Sequence, residues 1–128
     1  MAYGSALVDN IQSSTANTPV VFKDGNGTQI GTLCRAWLDY DGTSGTILGS
    51  FNITSVTKNS TGYYSVFFTN DMPDANYAAN VISNSSTGGF TTTPFIGVGS
   101  KGTHSFAVYE FSNSGTSVDT VIGVSIFR

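Results

Sequence analysis

Residues 35–77, RAWLDYDGTSGTILGSFNITSVTKNSTGYYSVFFTNDMPDANY, read as three consecutive antiparallel strands with polar turns between them. They hold the only Trp and four of the six Tyr. Within 62–69, strand alternation places Tyr64, Val66 and Phe68 on one face and Tyr63, Ser65, Phe67 and Thr69 on the other. A strand carrying rings on both faces needs cover on both. In 51–56 the apolar residues Phe51 and Ile53 keep period two, and Val56 slips by one residue, which predicts a bulge. Asp41-Gly42 and Ser60-Thr61-Gly62 break the chain into hairpins. Asp71-Met72-Pro73-Asp74 ends the third strand, because Pro cannot donate to a ladder.

Working outward, 128 residues is one domain's worth of chain. Ser, Thr, Asn and Gly make up nearly half of it. These residues suit turns and strands and are poor in helix interiors, and no long stretch has a period of 3.6. Aromatic residues at 12% argue against disorder. The expectation is an all-β, antiparallel β-sandwich of about eight strands. Five basic residues, Lys23, Arg35, Lys58, Lys101 and Arg128, are scattered against a net charge of −3, which disfavours nucleic acid, and no nucleic-acid partner is expected. No apolar run approaches eighteen residues and no basic-then-apolar leader follows Met1, which predicts neither membrane insertion nor a signal peptide. Without secretion the Asn-x-Ser/Thr sequons at Asn26, Asn52, Asn59 and Asn84 follow from composition alone. Cys34 stands alone and is expected to be a small buried thiol.

Residues 1–19 differ from the rest. Leu7, Val8 and Ile11 sit among small polar residues, too few to make a core, and are read as an extended attachment arm preceding a sandwich domain at 20–128. A short strand at 20–23, a turn at Asp24-Gly25-Asn26-Gly27 and a long strand at 28–40 with an irregularity at Gly31 follow. Trp37 is expected inside the core. After the central block, strands are expected at 77–83, 95–98, 104–111 and 118–127, the last with Ile122, Val124 and Ile126 on one face. Residues 84–94 form the longest polar stretch and read as an exposed loop.

His104, Glu110 and the many Ser and Asp permit a triad on paper, yet no G-x-S-x-G elbow is present, and the chain is expected not to be an enzyme. Asp39-Tyr40-Asp41-Gly42 and Asp24-Gly25-Asn26-Gly27 resemble fragments of calcium loops but lack the closing Glu, so turn-forming Asp and Asn is the simpler reading. One Cys and one His do not make a zinc site. No metal and no cofactor is expected. What is left is a surface: Tyr63, Phe67, Phe90 and Tyr109 are candidate contacts either for glycans, whose rings stack on aromatic faces among hydroxyls and amides, or for a neighbouring subunit.

The segments LVDNIQSSTANTPVVFKDGNGTQIGTLCRAWLDYDGT and GSFNITSVTKNSTGYYSVFFTNDMPDANYA, with the C-terminal VSIFR, resemble short tail-fibre and tail-fibre-tip proteins of tailed bacteriophages, especially those of cyanobacteria and other marine bacteria. The resemblance spans nearly the whole chain apart from 84–115. It implies a homotrimeric virion protein whose first residues intertwine or attach to other virion proteins and whose Trp-containing block faces the host surface and its polysaccharide. The chain departs from that pattern in lacking a long shaft, which leaves a capsid decoration (cement) protein as the alternative.

Overall fold

The structure is a computed structural model that describes residues 8–15, 20–84 and 95–128. Among the described residues it is all-β, with every strand pairing antiparallel and no helix. The chain divides into two compact units, one up to Leu33 and one from Cys34 to Arg128.

The first unit contains the hairpin of β1 (Phe22–Lys23) and β2 (Gln29–Gly31). Its turn is built by Asp24, whose Oδ1 accepts from the N–H groups of Asn26 and Thr28 at 2.9 Å each, while Gly27 takes a left-handed φ of 83°. Asp24 is thereby committed to its own turn. The register slips between Phe22 and Lys23, opposite the irregularity expected at Gly31. Val8 and Ile11 are exposed; Leu7 and residues 16–19, where the expected arm ends, lie outside the described residues.

The single strand expected over 28–40 is two strands in different units: β2 ends at Gly31 and β3 (Cys34–Asp41) begins three residues later. Alternation shows that residues are extended, not that they keep one pairing partner.

The second unit has two four-stranded sheets. One, in the order β4-β3-β10-β7, contains β3, β4 (Thr46–Phe51), β7 (Ala78–Asn84) and β10 (Val121–Phe127). The other, in the order β5-β6-β9-β8, contains β5 (Ile53–Ser60), β6 (Tyr63–Phe68), β8 (Phe95–Lys101) and β9 (Ser105–Phe111). One hydrophobic core joins inward residues of both: Ala36, Leu38 and Tyr40, Ile122, Val124 and Ile126 from the first, and Tyr64, Val66, Phe68, Phe106 and Val108 from the second. This arrangement is consistent with the expected β-sandwich and with its eight strands. Phe68, Tyr77 and Phe106 pack as a ring cluster with centroids 5.4 to 6.5 Å apart.

Asn52 carries the chain from one sheet to the other. Phe51 pairs with Trp37 and Ile53 with Phe68, so the two residues that read as one strand belong to opposite sheets. Asn52 between them is left-handed, with φ 57°, a conformation Asn tolerates better than most residues. Its side chain secures the corner, donating to the carbonyls of Arg35 (3.2 Å) and Asn70 (3.1 Å) and accepting from the Asn70 N–H at 2.7 Å. The expected bulge appears between Ile53 and Ser55.

Trp37 is not in the core. Ala36, Leu38 and Tyr40 of β3 point inward, so Trp37 falls on the outer face and is 43% exposed, lying over Gly49 of β4. Phe51 and Ile82 flank that face and are exposed too. Cys34 is half-buried and not fully enclosed, its Sγ 3.1 Å from the Ala36 carbonyl.

Candidate functional site

β6 and β9 bring three of the four ring candidates onto one surface. Strand alternation puts Tyr63, Ser65 and Phe67 on the outer face of β5-β6-β9-β8, and register sets them against Tyr109, Ala107 and Ser105 of β9. Tyr63 and Tyr109 stack, with centroids 4.6 Å apart and planes 9° from parallel. Each ring therefore gives one face to the other, and the Tyr109 ring also lies across Gly99 of β8, where any side chain would collide with it. A hydrogen bond with the Tyr63 side chain, together with desolvation, raises the Tyr109 phenol above its ordinary pKa. The pair is thus a two-ring tile on the outer face. Phe90 lies outside the described residues.

Two rings outside the four candidates extend the surface. Phe95 of β8 pairs with Phe111 of β9, two positions along from Tyr109 and on the same side of the sheet; they are 67% and 37% exposed. The alternation of Tyr109 and Phe111 was the available signal, and the pairing of β8 with β9 was not.

At the other end, Phe67 meets His104 edge-on at 5.9 Å, and the two help to line an open groove of about 290 Å³ with Thr54, Ser55, Phe68 and Thr69. That is near the lower limit for small-ligand sites. The Thr54 hydroxyl donates to Thr69 Oγ1 at 3.0 Å, and His104 Nδ1 lies 2.8 Å from Asp71 Oδ1. Between the groove and the tyrosines the face is floored by small residues, Ser65 and Ala107, with the Asn59 amide donating to Ser65 Oγ at 2.8 Å. The result is a trough along β6, ringed at both ends and edged by hydroxyls and amides.

The triad permitted on paper is not assembled. His104 is exposed beside Asp71, whereas Glu110 is fully buried, accepting from Ser83 Oγ at 2.6 Å, from the Thr120 N–H at 3.0 Å and from the Thr120 hydroxyl. Those bonds hold the chain leading into β10 against β7 and β9. A second polar cluster is centred on Asp119, which accepts from Tyr64 Oη (2.5 Å), Lys58 Nζ (2.7 Å) and the Gly62 N–H (2.9 Å). Asp41 accepts from the N–H groups of Thr43 (2.8 Å) and Ser44 (3.2 Å) and from the Ser44 hydroxyl, which makes it a turn former. Among the described residues no three His, Cys, Asp or Glu side chains gather as a metal site, and no helix is long and apolar enough to cross a membrane.

No family model matches the chain, and no curated protein or solved structure matches it either. The outer face of β5-β6-β9-β8 therefore stands on its own geometry.

Proposed function

We propose that the protein is a non-catalytic structural component of a bacteriophage tail fibre, a homotrimer held to other virion proteins through residues 1–19 and touching host surface glycans. The observation that carries the glycan contact is the stripe of Phe95, Phe111, Tyr109, Tyr63 and Phe67 on one sheet face, set among Ser, Thr and Asn side chains. Exposed ring faces and edges take up the apolar sides of sugars, and short polar side chains satisfy their hydroxyls. The resemblance of the Trp-containing block to tail-fibre tips supports the same assignment. Self-association belongs on the opposite surface, where Trp37, Phe51 and Ile82 leave apolar area that isolated soluble chains rarely expose together.

The alternative is a capsid decoration protein. It is favoured by that same apolar face, since a shell protein also needs lateral neighbours. An adsorption assay separates the two. Purified protein should bind host cells and reduce phage adsorption, and Phe67→Ser should lose both effects while keeping its melting temperature within a few degrees. A protein that neither binds cells nor competes is a structural part only.

A further inference from the structure

The trough along β6 has a feature that narrows its ligand beyond the class just given, on whose glycan reading this step rests. Three of the four Lys and Arg side chains of residues 34–128 are held by other groups, and the fourth, Arg35, starts from the other sheet. Lys58 is bound to Asp119 and to the Gly42 carbonyl at 3.0 Å. Lys101 donates to the Tyr77 carbonyl at 2.8 Å and lies 5.2 Å from the centre of the Tyr77 ring, on the core side. Arg128 clamps Asp74, with Nη2 and Nε at 2.5 and 3.0 Å. Arg35 lies on β3 in the other sheet. The segments 1–7, 16–19 and 85–94 contain no charged side chain. Lining the groove, the one ionisable side chain is His104, whose Nδ1 lies 2.8 Å from Asp71 Oδ1.

We infer that this trough takes an extended, neutral oligosaccharide, built of hexoses or deoxyhexoses without carboxylate, phosphate or sulfate. A glycan anion moved out of water needs a cation or a bidentate guanidinium to replace its solvation, and leaving it unpaired costs more than the sugar's other contacts return. The trough offers rings, hydroxyls, the Asn59 amide and the phenols of Tyr63 and Tyr109, which suit uncharged hydroxyls. Its length also sets ligand size. Phe67 and Tyr63 are four strand steps apart, about 13 Å at strand rise, so a monosaccharide reaches one end only.

The test is an array carrying neutral oligomers of glucose, galactose, mannose and rhamnose beside oligomers bearing uronate, sialyl, phosphate or sulfate groups. The best binder is then titrated into ¹⁵N-labelled protein. Neutral oligomers are expected to bind at least tenfold more tightly than acidic oligomers of the same length, with shifts at Tyr63, Ser65, Phe67 and Tyr109. Ser65→Arg, an outward substitution, is expected to abolish that preference. Binding confined to acidic oligomers at the same residues overturns the inference and leaves glycan contact standing. Binding to no oligomer, or shifts only on β3 and β4, overturns both.

Discussion

The Tyr64 hydroxyl donates to Asp119 Oδ1 at 2.5 Å, joining the middle of one sheet to the segment that leads into the last strand of the other, 55 residues later. Asp119 is mostly buried and also receives Lys58 and the Gly62 N–H. Burial works to raise its pKa, and the bonds from Lys58, Tyr64 and Gly62 outweigh burial and hold it below the ordinary carboxylate value. A carboxylate depressed in the folded state stabilises the fold above its unfolded pKa of about 3.9, and that contribution is lost as pH falls through the folded value. Asp119→Asn should therefore cost about 1 to 3 kcal/mol at pH 7, and the gap from the parent should narrow below about pH 4. Urea denaturation of both proteins across that range checks it.

The tyrosines set the alkaline limit. Burial pushes Tyr77 up to about 12, raises Tyr40, and with the Asp119 bond raises Tyr64 further. Since the folded pKa exceeds the unfolded one of about 10, the stabilisation is complete below pH 10 and is lost as pH climbs through the folded values. Ultraviolet titration should show part of the tyrosine absorbance change withheld past pH 11 and released together with unfolding.

Trp37 and Phe68 should separate clearly. Phe68 is 1% exposed within the ring cluster, so Phe68→Ala is expected to cost about 3 to 5 kcal/mol. Trp37 on the outer face should cost less than about 1.5 kcal/mol on replacement by Ala, because much of its area stays in water. As the only Trp it also reports self-association: its emission should shift to the blue as concentration rises, if copies pack on that face.

The sheet-crossing corner offers a paired test. Asn52→Gly keeps the left-handed backbone and loses the bonds to Arg35 and Asn70; Asn52→Ala loses the bonds and adds backbone strain. Thermal denaturation should rank parent, Gly and Ala in falling order, with Ala below Gly by about 1 to 2 kcal/mol.

Much of the sandwich was legible because alternation is local. Ile122, Val124 and Ile126, and Tyr64, Val66 and Phe68, face the core as their spacing predicts. Trp37 shows the limit of size as a guide: a ring so large favours the core, yet alternation with Ala36, Leu38 and Tyr40 puts it outside. Phe51 and Ile53 share a strand pattern yet pair in different sheets, because one left-handed Asn rotates the chain without disturbing either pattern. The ring surface was legible only in part. Tyr63 and Phe67 share a strand, but the stacking of Tyr63 on Tyr109 and the addition of Phe95 and Phe111 depend on register between strands distant in sequence, which no local period encodes.

Immunogold labelling of intact virions with an antibody against this chain is the most direct measurement of the central claim. Gold confined to the tail, at the fibres or their tips, is the predicted result; gold spread over the head shell would contradict it.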